Sequence, residues 1–222
     1  MKNIFIGIFI LFGFSGFSQI IDSISNKLDY IILDKKYYQN YYSKSNNISL
    51  FTIYELDSTK IKENKTYFSY FVEDLSINTS LNKYYKNSKY DRGHLFNAED
   101  ASFSDKAYLS SYLITNATPQ LPEFNRGIWK SLEYRVRQHI GNSADKFLII
   151  SGCDLYGEKL KKLEKIPIPK YFFKIIINLN TCDMNIYYIP NKYSNKKLST
   201  FLITEKKFEK ETGIYINKYG EY

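Results

Sequence analysis

Residues suited to moving protons and binding phosphate stand close together in the segment YDRGHLFN, residues 90–97. His94 is one of only two histidines in the chain. An imidazole has an ordinary pKa of about 6.5, so at neutral pH it is mostly unprotonated and can accept a proton from a reacting water. Arg92 can bind a phosphate or a carboxylate through two parallel N–H groups. Taken alone, the segment fits a charged surface turn equally well.

A second group of polar residues follows on a predicted helix over residues 125–141. Its apolar residues recur at every fourth position, as on a helix with one buried face: Ile128, Leu132, Val136 and Ile140. A step of four residues advances about 400°, so Asn125, Glu133 and Arg137 lie on or beside this face. Polar groups beside a buried stripe need partners. The alternative is an exposed pair between Glu133 and Arg137, which would contribute only about 0.2–0.5 kcal/mol.

Three short segments occur in a fixed order along the chain: DRGH (91–94), NATPQ (116–120) and NRGIWKSLE (125–133). In this combination the sequence resembles the DNA/RNA non-specific endonucleases, the family that includes endonuclease G and secreted sugar-nonspecific nucleases of bacteria. A weaker similarity continues through ISGC, IPKYFFKIII and FEKETGI. The resemblance implies a ββα-metal (His-Me finger) active site and hydrolysis of phosphodiester bonds.

The resemblance also implies a role for each matching residue. His94 matches the general base, and general-base assistance accelerates a reaction by about 10²–10⁴. Asn125 matches the protein ligand of a divalent metal, usually Mg²⁺ with Mn²⁺ as a substitute, and Mg²⁺ prefers oxygen ligands and retains several waters. Glu133 matches the carboxylate that holds the water shell of the metal. The other matches are supporting residues of the site: Arg92, Asn116 and Arg137.

The chain departs from the family pattern at two places. After the histidine it has LFNAED, residues 95–100, where the family often has a short Ala-Pro element, so we expect altered support for the site. Some family members also place a phosphate-binding arginine before the DRGH segment. Residues 19–91 of this chain contain no arginine. Lys65 is a candidate substitute, although an ammonium lacks the two-pronged geometry of a guanidinium.

The secondary-structure pattern predicts an α+β fold with a central antiparallel sheet and flanking helices. Four segments are rich in β-branched and aromatic residues and read as strands: SLFTIYEL, KFLIISGC, KYFFKIIINL and MNIYYIP. Besides the helix at 125–141, short helices are indicated by SFSDKAYLSSYL and TEKKFEKETG. Residues 57–89 show no sustained period and predict a long irregular segment. Because strands and helices do not alternate regularly, the pattern favours α+β over α/β.

The N-terminal segment MKNIFIGIFILFGFSGFSQ predicts a secretory signal peptide over residues 1–18. A lysine precedes a short apolar run, which is followed by small residues. The run is shorter than the roughly 20 residues that span a bilayer; a retained N-terminal anchor is the alternative. We therefore expect a secreted or periplasmic protein with one mature endonuclease domain, residues 19–222, and no stable membrane association after cleavage.

The two cysteines, Cys153 and Cys182, leave their redox state open. Export permits a disulfide, which in the chain-entropy model would stabilise the fold by roughly 3 kcal/mol. The alternative, two unbridged thiols, fits the sequence equally well. With two histidines and no CxxC motif, the chain lacks the pattern of a structural zinc site.

A formal net charge of +8 suits a polyanionic partner, although a lysine-rich solvated surface explains the charge equally well. The expected partners are DNA and RNA as substrates, and the sequence does not choose between them. A homodimer is an open alternative to a monomer. Two other functions stay open: a catalytically inactive nucleic-acid-binding protein, and a secreted nuclease toxin with an immunity partner.

Overall fold

An antiparallel seven-stranded sheet forms the centre of the protein. The structure, a computed structural model, describes residues 21–24, 29–61, 70–77, 81–155 and 160–216. The predicted signal peptide and Lys65 lie outside the described residues. None of the helices in the described ranges is long and apolar enough to cross a membrane.

The described chain forms thirteen strands and four α-helices. The strands are β1 (Ile21–Ile24), β2 (Ile31–Asp34), β3 (Gln39–Ser43), β4 (Ile48–Asp57), β5 (Asp91–His94), β6 (Ala117–Gln120), β7 (Lys146–Asp154), β8 (Lys162–Leu163), β9 (Ile166–Pro167), β10 (Tyr171–Asn178), β11 (Met184–Pro190), β12 (Leu202–Ile203) and β13 (Ile214–Ile216). The helices are α1 (Asn82–Tyr85), α2 (Asp105–Ser111), α3 (Lys130–Gly141) and α4 (Glu205–Thr212).

The strands of the central sheet lie in the order β12-β11-β10-β7-β4-β3-β2, and every neighbouring pair is antiparallel. Three two-stranded sheets pair β1 with β13, β5 with β6, and β8 with β9. The four strands predicted from β-branched and aromatic residues correspond to β4, β7, β10 and β11. The predicted α+β class with a central antiparallel sheet is confirmed.

The central sheet is covered on both faces, which explains why its inner strands are apolar almost throughout. Along β10, Phe172 and Ile176 belong to one buried cluster, whereas Phe173 and Ile175 belong to the other. Successive side chains of a strand point to opposite faces. The first cluster includes the apolar residues of α3, and the second includes Phe208 of α4. Helices α3 and α4 therefore pack on opposite faces of the sheet.

The short helices begin and end at the residues that their sequences indicate. The Ser104 hydroxyl accepts a hydrogen bond from the Ala107 N–H at the start of α2, and Thr204 does the same for the Lys207 N–H at the start of α4. Such caps satisfy N–H groups that the helix itself leaves without acceptors. Helix α4 ends at Thr212, and the next residue, Gly213, has a φ of 65°, a left-handed conformation that glycine adopts readily.

The predicted continuous helix over residues 125–141 is wrong at its beginning. Residues Phe124–Trp129 form a wide turn in which Gly127 has φ −104° and ψ −109°, outside the helical region. The regular helix starts only at Lys130 and ends at Gly141. Asn125 therefore does not lie on the same straight helix as Glu133 and Arg137.

The two cysteines do not form a disulfide. Cys153 is buried in β7, where its thiol donates a hydrogen bond of 3.3 Å to the Ser49 carbonyl, and Cys182 is exposed in the turn between β10 and β11. Burial raises the pKa of the Cys153 thiol. The sequence left a disulfide and two unbridged thiols open, and the structure contains the unbridged thiols.

Gly152, in the middle of β7, provides a test of packing in the sheet. A Cβ at this position would lie 2.6 Å from the Leu50 carbonyl oxygen and 2.3 Å from Cζ of Phe173. Since backbone cannot move aside cheaply, we expect Gly152→Ala to lower the free energy of unfolding by about 1–3 kcal/mol, measured by urea denaturation. The control is Gly141→Ala, whose Cβ would meet Ile61 at an ordinary 3.5 Å. Equal stabilities of the two variants would contradict this packing.

Candidate active site

Two strands and the helix that follows bring the three sequence segments together. Strand β5 carries DRGH and pairs with β6, so that His94 lies opposite Ala117 and Asp91 opposite Gln120. The wide turn at Phe124–Trp129 and helix α3 follow directly after β6. This β-β-α unit places the end of the first strand beside the beginning of the helix.

His94 sits between two aromatic rings at the end of β5. The centroid of its ring is 4.6 Å from that of Phe71 and 4.8 Å from that of Tyr112. Its Nε2 atom is buried and has no hydrogen-bond partner among the described residues. Burial lowers the pKa of His94 to about 4, because a low-dielectric environment disfavours the charged imidazolium. The imidazole is therefore neutral at pH 7 and can accept a proton.

Asn125 is held by the carboxylate of Asp91. Its Nδ2 donates a hydrogen bond of 2.9 Å to Asp91 Oδ2. The guanidinium of Arg126 binds the same carboxylate with two hydrogen bonds, of 2.9 and 2.6 Å. Within the described residues, the Asn125 Oδ1 atom accepts no hydrogen bond, so this amide oxygen is available to a ligand. Asp91 thus fixes the candidate metal ligand.

Glu133 is buried in α3 above the central sheet and forms an ion pair with the buried Lys174 of β10. The distance from Lys174 Nζ to Glu133 Oε1 is 3.4 Å, and Nζ also lies 5.0 Å from the centre of the Trp129 ring. Burial raises the pKa of Glu133, while the Lys174 cation and a hydrogen bond from Asn97 oppose that rise. The exposed Glu133–Arg137 pair considered from the sequence is not formed.

Arg137 binds the loop that follows His94. Its Nη1 donates to Asn97 Oδ1 at 3.0 Å and to Asp100 Oδ1 at 2.9 Å, and its Nη2 donates to Glu99. Burial disfavours its charge, but Asp100 and the other nearby carboxylates raise the pKa of Arg137. Two carboxylates already neutralise the charge of this guanidinium. In the structure, Arg137 therefore holds the loop in place. The LFNAED segment, a departure from the family pattern, supplies all three partners.

Asn116 and Arg92 support the backbone rather than line the cavity beside His94. Asn116 is fully buried; its Nδ2 donates to the carbonyls of Phe96 and Ser111, at 2.9 and 2.7 Å, and its Oδ1 accepts from the Phe96 N–H at 2.8 Å. Arg92 donates to the side chain and carbonyl of Asn82, at 2.8 and 2.9 Å. Both side chains therefore support the site indirectly, because they hold the backbone around it in place.

A cavity of about 360 Å³ connects the three residues with the strongest predicted roles. His94, Asn125 and Glu133 all line it, together with Asn97 and Tyr112. The described residues contain no group of three or more His, Cys, Asp or Glu side chains that could hold a metal ion. An amide oxygen that accepts no hydrogen bond from the described residues, in one cavity with the Glu133 carboxylate, fits a divalent ion that keeps most of its waters, as Mg²⁺ does. The donor set therefore fits the expected metal.

Sequence reasoning missed Lys174, Asn97 and the aromatic walls of His94. Lys174 interrupts the apolar run YFFKIII, and a lysine buried in a central strand requires a buried partner. That interruption was the available signal. Phe71 and Tyr112 carried no comparable signal, because neither lies in one of the three ordered motifs and the chain contains many aromatic residues.

Comparison with known proteins defines first the fold and then the family. A crystal structure of an EndoG/EndoGI complex matches with a TM-score of 0.74 and 22% sequence identity, over 82% of this chain and 84% of that chain. The fold is thus the ββα-metal nuclease fold. The model of the family described as DNA/RNA non-specific endonuclease matches residues 20–220, and the chain belongs to this family.

Several curated proteins are similar to this chain. The mitochondrial nuclease of Saccharomyces cerevisiae is 31% identical over 175 residues, which cover 66% of this chain and 52% of that protein. Endonuclease G of Homo sapiens, which is mitochondrial, is 26% identical over 163 residues, covering 65% and 54%. A nuclease of Nostoc sp. is 30% identical over 97 residues, covering 44% and 35%. The matched region thus spans between about a third and about half of the length of these relatives.

Because Phe71 and Tyr112 enclose the imidazole of His94, we expect a low pKa for His94 that depends on Phe71. A ¹⁵N NMR titration should give a pKa near 4 for His94. Because Phe71→Ala admits water, it should raise this pKa toward 6.5, whereas Phe71→Leu preserves burial and should leave it low. Substitution of His94 identifies its signal among the two histidines.

The same shift has a consequence for stability. The folded pKa lies below the unfolded value, so the unfolded state binds more protons below pH 6.5. The stabilising contribution of a neutral His94 is therefore present above pH 6.5 and is lost as the pH falls toward 4. A His94 pKa near 6.5 in the wild type would contradict both expectations.

The Glu133–Lys174 pair predicts strong coupling in a double-mutant cycle. Lys174→Met leaves a buried carboxylate without its cation and should lower the free energy of unfolding by about 3–5 kcal/mol in urea denaturation. Adding Glu133→Gln removes the unpaired charge, so the double variant should be more stable than the sum of the single losses predicts. Additive losses would show that the two side chains do not interact.

Proposed function

We propose that this chain is an exported, Mg²⁺-dependent endonuclease that hydrolyses phosphodiester bonds of DNA and RNA with little sequence preference. The family membership supports nuclease activity. The observation that carries the proposal is the single cavity lined by a neutral His94, by Asn125, whose amide Asp91 holds, and by Glu133. The export part rests on the leader-like residues 1–18.

In the proposed reaction, His94 acts as the general base. Its neutral imidazole accepts a proton from a water as that water attacks the phosphorus atom. The bond from phosphorus to the 3′ oxygen then breaks, and that oxygen takes a proton from solvent. Phe71 and Tyr112 keep the imidazole neutral before the step, and they fix the plane of its ring.

Asn125 and Glu133 would hold the metal ion. Asp91 fixes the Asn125 amide, so that its oxygen is presented without reorganisation. Glu133 would accept hydrogen bonds from water around the ion, while Lys174 and Asn97 hold the carboxylate in place. The bound ion would stabilise the negative charge that develops on the phosphate and the leaving oxygen.

Of the alternative functions, the catalytically inactive binding protein is the less favoured. Such a protein would not require a base, an amide ligand and a carboxylate around one cavity. The toxin hypothesis requires a partner, and the crystal structure of an EndoG/EndoGI complex concerns inhibition of that relative only.

The test is an assay of the purified mature protein on supercoiled plasmid DNA and on structured RNA, with Mg²⁺ and with EDTA. We expect nicked and then linear plasmid with Mg²⁺ and no cleavage with EDTA. His94→Ala should lower the rate at least about 100-fold, because it removes the general base. The matched control is His139→Ala, the other histidine, which is exposed on α3.

Three outcomes would contradict parts of the proposal. Cleavage that survives in His94→Ala would remove His94 as the base. Cleavage in EDTA would exclude the metal requirement. A wild-type protein that cleaves neither DNA nor RNA, while circular dichroism shows it folded, would overturn the nuclease assignment itself.

A further inference from the structure

A second, larger cavity adjoins the active site along α3. This basic groove has a volume of about 1000 Å³ and runs between the residues from Arg126 to Arg137 on one side and the segment from Lys196 to Ser199 on the other. It shares Glu99, Arg126 and Lys130 with the cavity that contains His94. The two cavities therefore adjoin, and a ligand in the groove would lie next to the cavity that contains His94.

The groove concentrates positive charge that the described residues do not compensate. Lys130, Arg135, Lys196 and Lys197 are exposed and form no ion pair among the described residues. Glu99 is the one carboxylate among the described residues that line the groove, and Arg137 already binds it. Four positive charges around one groove repel one another. A bound polyanion would offset this repulsion.

Tyr134 adds an aromatic surface to the same groove. It lies one turn after Lys130 on α3, and 54% of its surface is exposed. No aromatic ring of the described residues stacks on it. An exposed ring between unpaired cations is the combination that binds single-stranded nucleic acid, because a base stacks on the ring while the phosphates contact the cations.

We propose that the basic groove binds one unpaired strand of nucleic acid on one side of the scissile phosphodiester. Lys130, Arg135, Lys196 and Lys197 contact successive phosphates, and Tyr134 stacks on a base. Since a paired base presents no face to Tyr134, the groove favours single-stranded over duplex substrate. This inference rests on the proposed nuclease function, and it names the form of substrate that the site prefers.

The test compares charge removal in the groove with equal charge removal on the other face of the sheet. The groove variant is Lys196→Gln/Lys197→Gln. The control is Lys206→Gln/Lys207→Gln, two exposed lysines of α4, which packs through Phe208 against Phe173 on the face opposite α3. Binding of fluorescein-labelled dT20 is measured by anisotropy in EDTA, so that the oligonucleotide is not cleaved, at several salt concentrations.

The groove variant should bind dT20 roughly tenfold more weakly at physiological salt. The slope of log K against log salt should fall in magnitude by about 1.4, because each phosphate contact to a single strand contributes about 0.7. The control should keep the slope of the wild type. Equal slopes for the groove variant and the control would overturn the proposal.

Tyr134 gives an independent test by stacking rather than charge. Tyr134→Ala should weaken dT20 binding by roughly 5- to 100-fold, while Tyr134→Phe keeps the ring and should bind like the wild type. A 20-base-pair duplex should be much less sensitive to Tyr134→Ala. Equal losses for duplex and single strand would exclude stacking on an unpaired base.

The cleavage assay separates failure of this inference from failure of the proposed function. With Mg²⁺ and single-stranded DNA varied from low to saturating concentration, the groove variant should keep the wild-type kcat and show a higher KM. If the wild type cleaves and the groove variant has an unchanged KM, only the groove assignment fails. If the wild type does not cleave at all, the proposed function fails first.

Discussion

The buried ion pair between Glu133 and Lys174 joins the central sheet to the helix that carries the site. Lys174 lies in β10 among apolar neighbours, and Glu133 lies in α3 directly above it. Neither charge is tolerable there without the other, because an isolated buried ion loses its hydration without compensation. The pair therefore fixes α3 against the sheet at one position along the helix. It also keeps the Glu133 carboxylate in the lining of the cavity beside His94, where an apolar core would otherwise exclude it.

Arg137 performs the equivalent task for the loop after His94. One turn beyond Glu133, it gathers Asn97, Glu99 and Asp100 around its guanidinium, and Asp100 also accepts a hydrogen bond from Tyr54 in the central sheet. Asn97 connects the two systems, since it bonds to both Arg137 and Glu133. The loop is thus tied to the helix by charge-assisted hydrogen bonds, which are stronger than neutral ones. A segment that differs from the family pattern provides this connection itself.

The candidate site separates a neutral histidine, the proposed base, from a strongly positive surface. His94 is enclosed by Phe71 and Tyr112, whereas the groove along α3 exposes lysines and Arg135 to solvent. Burial keeps the imidazole unprotonated, and exposure keeps the cations charged. Proton transfer and polyanion binding require these opposite environments. The fold provides both within adjoining cavities because β5 ends in the core while α3 begins at the surface.

The sequence by itself determined four of the seven strands of the central sheet, helices α2 and α4, and the grouping of His94, Asn125 and Glu133 as candidate site residues. Apolar runs with β-branched residues have few alternatives to a buried strand, and three ordered motifs are specific in combination. Only the tertiary structure decided that Asn125 lies in a wide turn rather than in α3, because Gly127 interrupts a pattern that periodicity alone continues.

The partners of each charge were likewise decided in three dimensions. Lys174 and Glu133 are far apart in sequence, as are Arg137 and Asp100, and the sequence contains many lysines and carboxylates that could have paired. The sequence named Asn116, Arg92 and Arg137 without distinguishing residues that line the cavity from residues that hold the backbone. That distinction depends on which side chains meet when β5, β6 and α3 pack together, and local sequence does not encode such long-range contacts.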